Sequence, residues 1–232
     1  SLECHDITCK IAEIVVVGGV RRSALISLSN LSDDRMRLAK SGQWWETQTQ
    51  RALANNSACY TERTDIGIFM DEWQSLYESK SGERGIFNRR AAKAQAAKNG
   101  RRDPDYNFGT NPCSEIILRS EEFCNLSEVV IRPDDTLESL KEKVVNATIL
   151  GTFQSTLTNF KYLNKRWLAN CEEERLLGVS LTGIMDSPLT NGKKKGLEEL
   201  LTALKEVAIA TNKEWTKKLG INQSVAITCV KP

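Results

Sequence analysis

Residues 107–116 read NFGTNPCSEI, and a thiol in this run lies between an amide and a carboxylate. Asn111, Cys113 and Glu115 are each two residues apart. An extended backbone would therefore place the three side chains on one side, roughly 6–7 Å from one to the next. A sulfur redox centre next to an acid–base group suits chemistry on a hydroxylated carbon of a small substrate. The pattern predicts a catalytic site, but a motif this short needs support from the rest of the chain.

The overall composition is that of an ordinary globular protein. The 232 residues are 40% apolar and 27% charged, with a net charge of +2, which gives no electrostatic argument for binding nucleic acid or a membrane. We therefore predict neither as a partner. The seven cysteines are an odd number scattered along the chain, unlike a secreted disulfide framework. A reducing cytoplasm is the expected compartment, with one or more thiols kept for chemistry.

Helical and extended patterns alternate along the chain. Helices are predicted for the segment containing Ile7, Ile11, Ile14 and Val15, for most of 32–80, for 84–102 with a turn at Gly100, for 135–170 with a break at Gly151, and for 197–219 before Gly220. Strands are predicted at 24–28, 113–118, 127–131, 176–181 and 224–230. This alternation predicts an α/β architecture with parallel strands.

Two groups of side chains have competing interpretations. The larger apolar residues of the region 32–80 are expected to pack in the core rather than to form a cofactor cage. They are Trp44, Trp45, Phe69, Trp73, Leu76 and Tyr77. The seven basic residues between 84 and 102 are expected to form a solvated helix rather than a nucleic-acid patch, because acidic residues elsewhere in the chain balance their charge.

Several segments, in order along the chain, resemble ribonucleotide reductases, and more specifically their adenosylcobalamin-dependent class. GGVRRSA at 18–24 resembles the loop that links the specificity effector to the substrate base. NPCSE at 111–115 resembles the finger loop that carries the radical cysteine. SVAITCVKP at 224–232 resembles the strand that leads into the phosphate-binding turn. Further similar segments are ANNS at 54–57, GERGIFN at 82–88, where the family usually has Pro in place of Arg84, and GVSLTG at 178–183.

This resemblance implies roles for four residues of the finger loop, 107–116. Cys113 would become the thiyl radical that removes the ribose 3′-hydrogen, and Glu115 would deprotonate the 3′-hydroxyl. Asn111 would orient the substrate, with Ser114 beside it. Cys124, eleven residues after Cys113, would be one half of the dithiol that supplies two electrons. The short separation and Pro112 are typical of the cobalamin class.

The resemblance also implies ligands and partners. The residues expected to contact the substrate base or the effector are Gly18, Gly19, Arg21, Arg22 and Ser23, whereas a helix C-terminal turn with solvated arginines is the alternative. Lys231 is assigned to substrate binding. The implied cofactor is adenosylcobalamin, with a dNTP or ATP as allosteric effector. The implied partners are a ribonucleoside di- or triphosphate substrate, a thioredoxin-like reductant and a possible homodimer partner.

The expected fold is an α/β barrel of the thiyl-radical type with ten strands, present in part. We predict one partial catalytic barrel domain over 1–232, truncated at both ends because the chain begins without a capping signal and ends directly after a strand. The family partner of Cys124 lies far upstream and has no counterpart here. The isolated polypeptide is therefore expected to be inactive.

The sequence is also compatible with three other functions. A catalytic subunit of a di-iron-dependent class I reductase, a non-catalytic nucleotide-binding or interaction module, and a thiol-nucleophile hydrolase are the alternatives. The last is disfavoured because His5, the one histidine, lies in an unrelated helix. Cys4, His5 and Cys9 match no common zinc spacing, so no metal site is predicted. The remaining thiols are expected to serve packing: Cys59, Cys171 and Cys229.

Overall fold

The structure is a computed structural model. It describes residues 1–14, 16–17, 20–21, 24–98, 100–193 and 195–228. The chain forms two compact units, Ser1–Lys98 with Pro104–Ile117 and Asn99–Asp103 with Leu118–Pro232. Each unit is described by itself.

The first unit is built on a parallel sheet. In chain order the elements up to its end are α1 (Leu2–Glu13), β1 (Val16–Val17), β2 (Val20–Arg21), β3 (Leu25–Ser29), α2 (Asp34–Arg37), α3 (Trp44–Thr47), a 3-10 helix (Thr49–Leu53), β4 (Ala54–Tyr60), α4 (Ile66–Ser79), β5 (Gly85–Asn88), α5 (Arg89–Lys98), β6 (Gly109–Thr110) and β7 (Ile117–Leu118). The strands β3, β4 and β5 pair in parallel in that order. The short strands β1 and β2 pair with each other, as do β6 and β7.

The predicted first helix is confirmed as α1, but its isoleucines do not face a core. Ile7, Ile11 and Ile14 are each at least 60% exposed, and the buried residues of the helix are His5 and Cys9. The His5 ring bonds to the Asn56 side chain of β4 at 2.9 Å. The predicted strand at 24–28 is confirmed as β3.

The prediction of mostly helical structure over 32–80 is wrong in its middle, because β4 lies there. Its two asparagines hide the strand pattern, since polar residues at buried positions normally argue against a central strand. Tertiary contacts engage both side chains: Oδ1 of Asn56 lies 2.9 Å from Nε2 of His5, and Nδ2 of Asn55 donates to the carbonyl of Pro112 at 2.8 Å. The predicted helix start is confirmed, with Asp33 accepting a hydrogen bond from the backbone N–H of Met36 at 3.0 Å, but α2 lasts one turn.

The prediction of an aromatic core in this region is wrong for three residues. Trp45, Trp73 and Tyr77 are each more than half exposed. The spacing of these residues could not show their exposure, because an apolar stripe on a helix does not indicate whether other parts of the protein cover it.

The segment 84–102 is part strand, part helix and part buried charge. The strand β5 comes first and α5 follows it, and Gly100 turns the chain with a φ of +61° as predicted. The prediction of a fully solvated segment is wrong at Arg84, which is 4% exposed and donates through Nε to Glu72 at 3.0 Å. Burial of two opposite charges in contact makes this a paired rather than a solvated arginine.

The second unit contains a second parallel sheet covered by long helices. Its elements are β8 (Asn125–Val130), α6 (Leu137–Gln154), α7 (Lys165–Glu174), β9 (Leu177–Thr182), α8 (Leu197–Leu219) and β10 (Ile227–Thr228). The strand order is β10–β9–β8, with every pair parallel. The core between this sheet and α6 and α8 is formed by Val129, Ile131, Leu140, Val144, Leu177, Val179, Leu181, Leu204, Ala208 and Ile227.

The predicted elements of this unit are mostly confirmed. Thr136 caps α6 through a reciprocal pair of hydrogen bonds with Ser139, and α8 ends at Gly220, whose φ of +66° favours glycine. The predicted break at Gly151 is wrong. Gly151 lies inside α6, where an added Cβ would make an ordinary van der Waals contact with the Leu177 side chain at 3.5 Å. The break comes after Gln154 instead.

The predicted α/β class with parallel strands is therefore confirmed. The two parallel sheets that the structure describes have three strands each. Among the described residues, no helix is long and apolar enough to cross a membrane.

Candidate functional site

The finger loop forms a tight turn and not an extended strand. The backbone N–H of Ser114 donates to the carbonyl of Asn111 at 2.9 Å, which closes a β-turn with Pro112 in the second position and Cys113 in the third. Ser114 follows with a φ of +65°. The predicted strand at 113–118 is thus wrong before Ile117, because proline favours a turn here and removes a backbone donor.

The side chain of Asn111 holds the turn together. Its Oδ1 accepts a hydrogen bond from the backbone N–H of Ile116 at 2.9 Å, and its own backbone N–H donates to the carbonyl of Ile116 at 3.3 Å. These two bonds join the ends of the loop across Cys113. The carbonyl oxygen of the amide is occupied in this way, so its Nδ2 is the group that remains to donate to a ligand.

The turn presents its thiol outward. Cys113 and Ser114 are exposed, Asn111 and Glu115 are half-buried, and Ile116 is buried beneath them. The structure therefore brings the amide, thiol and carboxylate onto one short loop, as the sequence predicts, although the geometry is that of a turn. An exposed thiol beside an amide donor and a carboxylate can react with a substrate that enters from solvent.

The loop is attached to the rest of the first unit at two points. The carbonyl of Phe108, a fully buried residue, accepts a hydrogen bond from Nε of Arg89 at 2.7 Å. The carbonyl of Pro112 accepts one from Nδ2 of Asn55 at 2.8 Å. The turn thus has one anchor before it and one at its tip.

The other predicted site residues divide into described and undescribed positions. Cys124 lies in the second unit, half-buried, immediately before β8. The backbone of Arg21 belongs to β2, and its side chain is not described. Five further positions lie outside the described residues: Gly18, Gly19, Arg22, Ser23 and Lys231.

The remaining cysteines fit the expected packing role where they are described. Cys59 and Cys171 are buried, and burial raises the pKa of both thiols, which keeps them protonated and unreactive. Cys229 lies outside the described residues. Within the part of the chain that is described, no group of three or more histidine, cysteine or acidic side chains is placed to hold a metal ion.

A buried ionic cluster fixes the segment just before Cys124. Nη2 of Arg102 lies 3.1 Å from Oε2 of Glu122 and 2.6 Å from Oε2 of Glu174, at the end of α7. The backbone N–H of Arg119 donates to Glu122 at 2.9 Å. The cluster joins the segment that carries Cys124 to α7. The prediction that residues 84–102 are solvated is therefore also wrong at Arg102, which is 7% exposed.

The cluster predicts an unusual pH dependence of stability. Burial raises the pKa of Glu122 to about 8, and a hydrogen bond with Glu174 adds to the rise, while the backbone N–H of Arg119 and the charge of Arg102 oppose it. Folded Glu122 thus keeps a proton that the unfolded chain releases near its ordinary value of 4.5. Its contribution is complete below that value and is lost as the pH rises through about 8.

We therefore expect the free energy of unfolding to fall between about pH 5 and pH 8, by at most about 1.4 kcal/mol per pH unit for one proton, and to level off at higher pH. Glu122→Gln keeps the shape of the protonated acid and should flatten this dependence. The exposed Glu128→Gln on β8 is the matched control and should leave it unchanged. Urea unfolding across this pH range measures the slope; equal slopes in wild type and Glu122→Gln would disprove the assignment.

Comparisons with known proteins point to one family. The chain is 32% identical over 193 residues to the adenosylcobalamin-dependent ribonucleoside-triphosphate reductase of Lacticaseibacillus paracasei, covering 80% of this chain and 24% of that protein. The reductase of the same name from Levilactobacillus brevis is 26% identical over 262 residues, covering 100% of this chain and 34% of that protein. That of Euglena gracilis is 28% identical and covers 98% of this chain and 30% of its own length.

The resemblance to the adenosylcobalamin-dependent ribonucleotide reductases is confirmed. A crystal structure of a B12-dependent, class II ribonucleotide reductase matches with a TM-score of 0.69 at 22% identity, covering 98% of this chain and 34% of that one, which shows a shared fold. No protein-family model matches the chain. The chain spans about a quarter to a third of the length of the curated reductases that it matches.

The names of these reductases specify adenosylcobalamin. Sequence reasoning missed the two anchors of the finger loop, Asn55 and Arg89. Asn55 lies in a segment that resembles the family, but nothing in the sequence connects either residue to a loop so far along the chain. The buried ionic cluster gave no sequence signal either.

Proposed function

We propose that this chain is part of an enzyme that reduces ribonucleoside triphosphates to 2′-deoxyribonucleotides through a thiyl radical on Cys113. The main support for the proposal is the position of the Cys113 thiol. It is exposed at the tip of a turn that hydrogen bonds of the Asn55 and Asn111 side chains hold in place, and Glu115 directly follows this turn. The names of the relatives support the triphosphate over the diphosphate as substrate.

Cys113, Glu115 and Asn111 can each be assigned a step of the proposed reaction. The Cys113 radical removes the ribose 3′-hydrogen and becomes a thiol, while Glu115 takes the proton of the 3′-hydroxyl. Nδ2 of Asn111 donates to the substrate and orients it. The 2′-hydroxyl leaves as water after protonation, and the 3′-hydrogen returns from Cys113 at the end, which regenerates the radical.

The reduction consumes one dithiol per nucleotide. Cys124 and a second thiol close to a disulfide and supply two electrons and two protons, so ribonucleotide and dithiol give deoxyribonucleotide, water and disulfide. We assign the second thiol to another part of the full-length protein and the subsequent reduction of the disulfide to a thioredoxin-like partner.

The radical on Cys113 requires a one-electron oxidant. Adenosylcobalamin, when bound, would fill this role by homolysis of its cobalt–carbon bond and acceptance of the thiol hydrogen atom. The described residues fit this requirement because the Cys113 thiol is exposed and can be reached from outside the turn. A dNTP or ATP is proposed to act as effector through the segment 18–24.

We also propose that residues 1–232 form a single catalytic domain that is part of a ten-stranded α/β barrel, and that the full-length protein is cytoplasmic. A homodimer is supported by the exposed isoleucines Ile7, Ile11 and Ile14 on one side of α1.

The test uses the full-length protein encoded by the gene of this chain. With adenosylcobalamin, a dithiol and each ribonucleoside triphosphate in turn, we expect deoxynucleotide that chromatography can quantify. No product with the cofactor, or equal product without it, would contradict the proposal.

The polypeptide of 232 residues is expected to be inactive by itself. Cys124 needs a second thiol to supply two electrons per turnover, and we place that thiol elsewhere in the full-length protein. The same chromatographic assay measures this. Multiple turnovers by the isolated polypeptide would show that the dithiol is complete within it and would overturn that assignment.

A further inference from the structure

The peptide bond between Pro112 and Cys113 determines where the thiol lies. It is the middle peptide of the β-turn, and the two common turn types differ chiefly in which way this peptide faces. The flipped form requires a positive φ at the third residue, here Cys113. Among the described non-glycine residues, positive φ occurs at Lys80, Ser114, Glu121 and Arg175, so Cys113 has the unflipped form.

Asn55 contacts this peptide directly. Its Nδ2 donates to the carbonyl oxygen of Pro112 at 2.8 Å, across 57 positions of sequence. The oxygen belongs to the same peptide plane as the backbone N–H of Cys113, so a bond to the oxygen restrains the whole plane. A flip of the peptide would turn this oxygen away and break the bond.

The backbone of Asn55 is held within a sheet although its side chain is exposed. Its backbone lies in β4, the central strand of the first sheet, opposite Ile26 of β3. Its two neighbours, Ala54 and Asn56, are buried. A side chain on a central strand that donates a hydrogen bond to a loop fixes the position of that loop relative to the sheet.

We propose that Asn55 is a positioning residue that fixes the orientation of the Pro112–Cys113 peptide and hence the place of the reactive thiol. Arg89 holds the loop before the turn and Asn111 closes it, but Asn55 is the contact at the tip. The catalytic consequence rests on the proposed function, whereas the effect on the loop does not.

Two variants separate the hydrogen bond from the bulk of the side chain. Asn55→Ala removes the donor. Asn55→Asp keeps the shape but places a carboxylate oxygen against the Pro112 carbonyl, so at neutral pH it should disturb the loop more than alanine does. Asn146→Ala is the matched control, because Asn146 is an exposed asparagine on α6.

The first measurement is amide hydrogen exchange in the full-length protein. Exchange at Ser114 and Ile116 should accelerate about fivefold in Asn55→Ala and more in Asn55→Asp, because these amides close the turn. Alkylation of Cys113 by iodoacetamide should change in rate in the same two variants, while Asn146→Ala matches wild type. Unchanged exchange and alkylation in both variants would overturn the inference.

The second measurement connects the loop to turnover. We expect kcat to fall about tenfold or more in Asn55→Ala with KM for the nucleotide within about twofold, because misplacement of the thiol affects the chemical step. Lowering the pH should raise the activity of Asn55→Asp relative to Asn55→Ala, because a protonated carboxyl can again donate to the carbonyl. A fall in kcat with a constant ratio across pH would exclude the hydrogen bond as its cause and overturn the inference.

The two measurements also keep this inference apart from the proposed function. If the wild-type protein forms no deoxynucleotide, the proposed function fails. Exchange and alkylation then still decide whether Asn55 positions the loop.

Discussion

Cys113→Ser in the full-length protein is expected to lower deoxynucleotide formation by on the order of a thousandfold or more. A serine hydroxyl nearly preserves the shape of the turn, but its O–H bond is too strong to be oxidised by the radical that oxidises a thiol. Nucleotide binding should remain within about threefold of wild type, since Cys113 is one exposed side chain of the loop. Chromatographic product assays and equilibrium dialysis measure the two quantities.

Cys4→Ser is the matched control for this experiment. Cys4 is also exposed, on α1, and belongs to no part of the proposed site. Its substitution should leave activity within about twofold of wild type. Equal losses in both variants would indicate a general effect of thiol removal, and retained activity in Cys113→Ser would contradict a thiyl radical at this position.

Phe108→Ala is expected to destabilise the chain by about 3–5 kcal/mol. Phe108 is fully buried, near the start of the finger loop, and packs in a cluster with Cys59, Phe87, Ala92 and Ala96. The lost ring leaves a cavity in the core of the first unit and loosens the point where Arg89 holds the loop. Urea unfolding measures the change in the free energy of unfolding.

Phe153→Ala separates core packing from the mere removal of an aromatic ring. Phe153 is 43% exposed on α6 and contacts Trp215, so its substitution should cost about 1 kcal/mol. A cost below about 1 kcal/mol for Phe108→Ala would show that the loop does not depend on this core.

The parallel α/β class could be predicted from the sequence because it depends on local patterns. The apolar run of β9 and the long amphipathic α8 with its terminal glycine have signals within their own residues. The sequence also predicts that Asn111, Cys113 and Glu115 lie together, and the structure places all three on one short loop. Their catalytic roles stay predictions.

The shape of the site and its supports could not be predicted in the same way. Pro112 and the left-handed Ser114 turn the loop, and the alternating spacing of three polar residues conceals this. Asn55 and Arg89 reach the loop through contacts between distant parts of the chain. The buried charges of Arg84 and Arg102 depend on Glu72 and on Glu122 with Glu174, and a basic stretch in a sequence does not reveal its partners.

The thiols of the first unit have different environments, which supports the proposed assignment of the radical to Cys113. Cys59 is buried with a raised pKa, whereas Cys113 is exposed at the tip of a turn that the side chains of Asn55 and Asn111 hold. The distinction is one of environment and not of residue type.

The proposed radical on Cys113 would form when bound adenosylcobalamin accepts the hydrogen atom of the thiol. Freeze-quench electron paramagnetic resonance of the full-length protein, mixed with adenosylcobalamin, effector and ribonucleoside triphosphate, tests it most directly. We predict a cobalt(II) signal on the timescale of turnover in wild type and in Cys4→Ser, and its loss in Cys113→Ser. No such signal in wild type, or an undiminished signal in Cys113→Ser, would contradict the account.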